Sequence, residues 1–487
     1  MDTRDPLIFY RDPARSREAI RKLGHESIEA ALDYLYEEAM RRPIGSHTYA
    51  EFRKAFGVQE NAPGEGRPAG EVLEEVRTRL FPHGMNAHHP RAFCYFTAPP
   101  LMMAAMGDLL ASVINQSVDL WVTAPVAAFV EEEVVRWLGA LVGYGPGSFG
   151  ILTSGGMNAN LTALKVARDR KVPDRHADGA MRRARLYASE QTHFSVKRSL
   201  DVIGFPPETL RLVKCDERFR IKVDALDQAI REDLEAGLRP FCVVANAGTT
   251  NTGTVDPLVE IAEVGSGHGL WLHADAAYGG AARLSQKYRD RVPGLDRYDS
   301  VTLDPHKWLF QPHDIGAVLL KRREDLLDSY RSSPEYYRTG RPGEEPLHWY
   351  QFGIEGSRRF RGLKLWMSWK HLGSRGLGHL VDRNMDLAAH LSGRIRESDD
   401  FEANPPEPDL SVVCFRHRPA GLPPGEDLDQ HQDRLQRALE VSGEGWVSTT
   451  RLRGETFLRA GVVNYLAEND DADGLLKSLR RLARELN

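Results

Sequence analysis

Between residues 150 and 320 the chain repeats one pattern, a short apolar run followed by a stretch with helical periodicity. The runs are FGILT, ARLYAS, LRLVK, FCVVANA, LWLHAD, SVTLD and GAVLLK. Alternation of this kind predicts an α/β fold, with a mostly parallel sheet covered by helices. Ligands of such sheets sit beyond the carboxyl ends of the strands. The residues that follow each run are therefore the first place to look for chemistry.

At 487 residues the chain is too long for one ordinary core, and two or three lobes are expected. The segment REAIRKLGHESIEAALDYLYEEAMRR, residues 17–42, places Ile20, Leu23, Ile28, Ala31, Leu32 and Leu35 at mostly three- and four-residue spacing, which predicts a helix. PPLMMAAMGDLLASVINQS and APVAAFVEEEVVRWLGALVG read as two well-buried helices, with Glu131, Glu132 and Glu133 on an exposed face. Residues 330–360 are polar and suit a mobile loop, and a long helix is expected from about Phe360. LSVVCFRHR and TFLRAGVVNY read as strands, with helices around 426–441 and 471–485.

Charged residues make up 27% and the formal net charge is −5, so neither nucleic acid nor an anionic membrane is the expected partner. No run reaches the roughly 18 apolar residues of a membrane span. The start MDTRDPLIFYRDPARSREAI lacks the apolar core of a signal peptide. Cys94, Cys215, Cys242 and Cys414 are scattered without a C-x-x-C pair, which suits reduced thiols and a cytoplasmic location.

The central chemical feature is DPHKW, residues 304–308, directly after the run SVTLD. A lysine at a buried strand end is unusual, because a buried ammonium is strongly disfavoured. Lys307 either snorkels to solvent or is an amine that condenses with an aldehyde. LWLHADAAYGG ends its strand on Asp275 and follows it with small residues. Asp275 is either a helix cap or the acid that pyridoxal phosphate (PLP) needs against its pyridine nitrogen, with Ala277 letting a flat ring approach. TSGGMNANLTAL, between a strand and a helix, is a candidate phosphate cup. His193 in ASEQTHFS can stack on a ring or handle a proton, or bond within a core loop. Thr249 and Thr250 follow FCVVANA and either donate to cofactor oxygens or close a turn. FPHGMNAHHP holds His83, His88 and His89, but matches no zinc-helix spacing and reads as a loop entering the pocket wall. EVGSGHGLW precedes a strand, so it reads as a glycine-terminated helix rather than a dinucleotide loop.

Taken in order, TSGGMNANL, QTHFS, NAGTTNTGTVDPL, HADAAYGG and DPHKW resemble the group II PLP-dependent amino-acid decarboxylases. That family includes enzymes acting on aromatic L-amino acids, glutamate, histidine and 2,4-diaminobutyrate. The resemblance runs from about residue 80 to the C-terminus and takes in SRRFRGLKLW and FLRAGVVNY. It implies fold type I, divided here as an N-terminal helical dimerisation segment (1–90), a large PLP-binding domain (91–375) and a small C-terminal α+β domain (376–487). It implies a Schiff base on Lys307, Asp275 at the pyridine nitrogen, His193 and Ala277 on opposite ring faces, and Thr249 near the ring substituents. Gly155, Gly156 and Met157 then line the phosphate cup, with His306 alongside. Met157 stands where relatives commonly carry serine or threonine. Tyr95, Phe96, Thr97 and Ala98 fall in the segment that shapes the substrate pocket, with Ala98 where a threonine is expected.

Tyr336, in SSPEYYRTG, resembles the tyrosine of the mobile catalytic loop and is the expected proton donor, with Tyr337 its neighbour. Arg358 and Arg359 belong to the family's ordinary pattern and are read as structural. The implied protein is a homodimer with shared active sites that converts an L-amino acid, aromatic favoured, to its amine and CO2. Acidic or diamino substrates, and oxidative deamination to an aldehyde, remain alternatives.

Overall fold

The computed structural model describes residues 5–8, 10–45, 48–57, 60–332, 334–335, 346–422 and 427–486. All seven apolar runs form strands of one sheet: β1 (Phe149–Thr153), β2 (Ala184–Ser189), β3 (Leu210–Val213), β4 (Arg239–Asn246), β5 (Trp271–Asp275), β6 (Ser300–Leu303) and β7 (Gly316–Leu320). Their order is β1-β7-β6-β5-β4-β2-β3. The pairs β2–β3, β2–β4, β4–β5 and β5–β6 are parallel, and β7 runs antiparallel to β1 and β6. Strands β1, β5, β6 and β7 are buried along their whole length, which is why they read as unbroken apolar runs.

The register fixes the site. Asn246 pairs with Asp275, and Asp275 with Thr302, so the carboxyl ends of β4, β5 and β6 are level. At β7, Gly316 pairs with Thr153 and Ala317 with Leu303, which brings the turn after β1 beside Asp304. EVGSGHGLW forms the end of the Leu258–Gly267 helix, closed by Gly269 at φ +68°, as its glycines indicate.

A second, four-stranded sheet has the order β10-β11-β9-β8, with β8 Phe401–Ala403, β9 Val412–His417, β10 Ser448–Leu452 and β11 Glu455–Gly461. The expected runs supply β9 and β11. The remaining two were missed because β8 has only three residues and β10 is the polar run STTRL. The expected long helix begins at Gly362 and reaches Arg396, interrupted at Gly373, whose φ of +66° suits glycine. The later helices are Leu428–Ser442 and Asn469–Leu486.

The chain forms two compact units, residues 1–94 with 419–449 and 466–487, and residues 95–418 with 450–465. In the first, the Pro13–Asp33 helix starts with Pro13 in its first turn, and the Asp12 side chain accepts from the Ala14 N–H. Within it only Ser16 and Ala30 are buried, while Ile20, Ile28 and Leu32 stay exposed.

In the second unit two expectations need correction. The Met102–Ile114 helix is not well buried, because it packs through its small residues Ala104, Gly107 and Ala111. A Cβ on Gly107 would stand 2.7 Å from Lys364 Cα, so only glycine allows this approach of the two helices. The large side chains Met102, Met106, Leu109, Leu110, Val113 and Ile114 point outward and are exposed. Glu131 is not on an exposed face but fully buried. Its carboxylate pairs with Arg358, itself 3% exposed, and accepts from Leu152 N–H at 3.2 Å. Arg358 also donates to the carbonyls of Val118 (3.0 Å) and Leu152 (2.8 Å) and lies over the Trp349 ring. The reading of Arg358 as structural is therefore correct. No helix among the described residues is long and apolar enough to cross a membrane.

Candidate active site

Each strand end contributes one group. β6 delivers Asp304, which precedes a short turn of helix, Pro305–Trp308, with proline where no backbone donor is needed. The Asp304 N–H bonds to Ala277 O at 3.0 Å, tying the ends of β5 and β6 together. Lys307 projects from this turn. Its Nζ lies 3.1 Å from Asp304 Oδ2 and 5.9 Å from the centre of the Phe96 ring.

β5 delivers Asp275, 8% exposed. Its Oδ1 accepts from Ala277 N–H at 3.2 Å and its Oδ2 from Asn160 Nδ2 at 2.9 Å. Past the end of β2 comes His193, whose Nδ1 lies 2.7 Å from Ser195 Oγ. Burial lowers the His193 pKa, with Asp275 and Asp304 working against it and Lys307 adding to it, so the ring is neutral near pH 7.

β1 leads through Ser154 and Gly155 into the helix Gly156–Lys171. A Cβ on Gly156 would lie 2.6 Å from Asp304 Oδ2, and one on Gly316 would lie 2.6 Å from Gly155 Cα. This crowding explains the glycines. It also leaves the first N–H groups of a 16-residue helix bare at the cavity wall, where an anion is favoured.

Lys307, Asp275, Ala277, His193, Gly156 and Met157 line one cavity of about 210 Å³. Phe96 and Thr250 close other parts of its wall. Phe96 contacts Tyr278 at 4.3 Å between ring centres, and Tyr278 stacks on Trp308 at 4.8 Å. Arg459 lies 4.7 Å above the Phe96 ring. A larger groove of about 330 Å³ is lined by Lys197, Arg198 and Asp201 among apolar residues and has no histidine in its lining.

Several anticipated residues are not among those that line the cavity. The Thr249 hydroxyl is spent inside its own turn, 2.8 Å from Thr252 Oγ1 and accepting from Thr254 N–H, and Thr250 takes its place at the cavity. His306 sits beside the glycine turn, 3.2 Å from where a Gly155 Cβ would be. Its Nδ1 faces Ile315 O at 2.6 Å, its ring meets His313, and burial lowers its pKa. Tyr95 is 58% exposed and Ala98 is buried in the core, so of residues 95–98 Phe96 is the one that lines the cavity. Tyr336 and Tyr337 lie outside the described residues. His83, His88 and His89 are not among the residues that line the cavity.

Sequence reasoning missed Asn160 and Asp304, both in the cavity wall and nearly inaccessible to solvent. A signal existed for Asn160. Asparagine is disfavoured inside a helix, and this one falls one turn after the glycine pair.

The donor set fits PLP. A primary amine can take its aldehyde, and a carboxylate held by two N–H groups suits a ring nitrogen. A neutral imidazole and an alanine methyl leave room for a flat ring, and a glycine cradle at a helix start suits a phosphate.

Residues 53–418 match the pyridoxal-dependent decarboxylase conserved domain. An aromatic-L-amino-acid decarboxylase of Bacillus atrophaeus is 33% identical, over 97% of this chain and 97% of its own length. An L-2,4-diaminobutyrate decarboxylase of Acinetobacter baumannii is 29% identical, over 93% and 90%. The structure of Oryza sativa TDC with PLP and tryptamine superposes with a TM-score of 0.89 at 26% identity, covering 96% of this chain and 98% of that one. The cavity at the strand ends and a domain match over most of the length agree: the chain belongs to the pyridoxal-dependent decarboxylase family and is a PLP-dependent amino-acid decarboxylase.

Proposed function

We propose that the protein removes the carboxylate of an aromatic L-amino acid and releases the amine, with Lys307 as the residue that carries the cofactor. The observation that carries this reading is that Lys307 and Asp275, on different strand ends, line one cavity. PLP, when bound, accepts the electrons left behind as CO2 departs.

In this reading the chain's own groups divide the work. Asp275 serves the ring nitrogen, and His193 and Ala277 hold the two ring faces. Gly155, Gly156, Met157 and His306 surround the phosphate, and Thr250 serves the position first read for Thr249. Asp304 holds the Lys307 ammonium whenever that amine is free. Tyr336 returns a proton to the substrate Cα, an assignment that rests on the resemblance of SSPEYYRTG alone.

The aromatic preference is supported by Phe96 and Tyr278 in the cavity wall with Lys307, Tyr278 being backed by the Trp308 ring, and by the 33% identity to an aromatic-L-amino-acid decarboxylase. The test is to incubate the PLP-loaded protein with aromatic, acidic and diamino L-amino acids while measuring CO2, amine, aldehyde and peroxide. CO2 and aromatic amine are expected in equal amounts, without peroxide. CO2 from an acidic or diamino substrate alone would overturn the aromatic preference, aldehyde with peroxide the amine product, and no CO2 the whole reading.

The same proposal includes a homodimer with shared active sites in the cytoplasm. Supporting it, Met106, Leu109, Leu110 and Val113 on one helix and Val126 and Phe129 on the next leave a large apolar area bare. All four cysteines are free thiols, as a reducing compartment requires. Sedimentation should give a dimer for the natural chain and a monomer for Leu110→Glu. A monomeric natural chain would refute the assembly.

A further inference from the structure

Behind the cavity wall lies a chain of buried polar groups whose donor and acceptor roles can be assigned from its carboxylate end. At one end stands Trp271, whose indole N–H can only donate. It bonds to Ser300 Oγ at 2.9 Å, and Ser300 Oγ lies 2.9 Å from His273 Nδ1. A hydroxyl can accept twice, so this end alone does not fix where the Ser300 proton points. His273 is fully buried, burial lowers its pKa to about 4, and its Nε2 lies 3.0 Å from Asn160 Oδ1. Thr302 Oγ1 donates to the same oxygen at 2.7 Å.

The carboxylate end fixes these roles, because it orients the Asn160 amide and with it the oxygen to which His273 Nε2 donates. Asn160 Nδ2 lies 2.9 Å from Asp275 Oδ2, and an ionised carboxylate only accepts. The reversed amide would set two oxygens against each other, so the side-chain orientation is unique. The second Nδ2 proton goes to Ser195 Oγ at 2.9 Å. Ser195 Oγ lies 2.7 Å from His193 Nδ1, and because the Ser195 N–H can only donate to that nitrogen, Nδ1 accepts and the hydroxyl donates. The Ser195 N–H approaches the same nitrogen at 3.3 Å. Two donors thus face His193 Nδ1.

We propose that Asn160 is the positioning residue of this site: it orients the Asp275 carboxylate and, through Ser195, locks the single ring proton of His193 onto Nε2. The imidazole then faces the cavity as a hydrogen-bond donor, with its basic nitrogen already occupied, and His193 is excluded as the general base. This rests on the reading of Asp275 and His193 as cofactor contacts. Asn160 itself is a fully buried hub with all four of its amide bonds made, so its effect reaches the cofactor through those two residues.

The test uses PLP-loaded protein labelled with ¹⁵N-histidine, with His193 assigned by the signals lost in His193→Gln. The natural chain should show His193 with Nε2 protonated and Nδ1 bare. A proton on Nδ1, or on both nitrogens, at neutral pH overturns the proposal without any Asn160 variant. Asn160→Ala should mix the two tautomers and weaken PLP binding about 10- to 100-fold, the scale of one or two hydrogen bonds to a charged group. Ser195→Ala removes the hydroxyl donor but keeps the backbone N–H on Nδ1, so it should admit a minor share of the Nδ1-protonated tautomer yet leave PLP affinity within about threefold, since the Asp275 bond survives. If Asn160→Ala lowers the melting temperature of the apoprotein but moves neither the His193 shifts nor PLP affinity, Asn160 is merely structural and the proposal fails. Failure of the natural chain to take up PLP is a separate result, which removes the cofactor-contact reading itself.

Discussion

Replacing Lys307 by arginine should leave a folded protein that takes up PLP only reversibly, loses the absorbance of the bound Schiff base and loses at least about 10³-fold in turnover, as when a covalent catalyst is removed. Arginine is the informative choice for a physical reason. Asp304 is 2% exposed, its Oδ1 is a buried oxygen without a hydrogen-bond partner, and Oδ2 is paired with Lys307. Alanine at 307 would strand that carboxylate and confuse a lost catalyst with a weakened fold. The guanidinium keeps a cation there but stays protonated and cannot condense with an aldehyde. Lys307→Ala should share the loss of absorbance and turnover, with added thermal instability. Absorbance spectroscopy, turnover and thermal unfolding of the two variants together check this. Retained activity in the arginine variant would remove Lys307 from the chemistry.

The second large effect is on stability. Glu131→Ala should cost about 3–5 kcal/mol, because it leaves the buried Arg358 guanidinium with only Glu355, 3.9 Å from its Nε, as counter-charge. Arg358 holds the Leu152 carbonyl, and Glu131 holds the Leu152 N–H, so the loss falls on the end of β1, next to the glycine turn. Weaker PLP binding should accompany the instability. The double variant Glu131→Leu with Arg358→Met removes both charges and should be more stable than the single one. Denaturant unfolding of the apoproteins reads both numbers. A single-variant cost below about 1 kcal/mol, or a double variant worse than the single, would show that the pair is not the keystone described.

The large sheet was legible because β1, β5, β6 and β7 are buried along their whole length and carry continuous apolar runs, and even the half-exposed edge strand β3 keeps a mostly apolar sequence. The reactive residues were legible because they follow those runs at once: Asp275 ends β5, Asp304–Lys307 follows β6 and the glycine turn follows β1. Spacing failed where it could not say what covers an apolar face. The Met102–Ile114 helix is apolar nearly all round, but its small residues meet the fold and its large ones face outward. Glu131 was unreadable for a different reason. One of three consecutive glutamates is drawn inside by Arg358, a partner far along the chain whose approach no local pattern reveals. Thr249 and Thr250 differ by one position, and only the turn geometry decides which hydroxyl closes the loop. Asn160 was overlooked because its importance lies in what it joins, and those partners come from three other segments.

The most direct measurement is to treat the PLP-loaded protein with borohydride, digest it and locate the reduced cofactor by mass spectrometry. The account predicts one modified peptide, carrying the label on Lys307. A label on another lysine, such as the fully buried Lys364, or no covalent label at all, would contradict it.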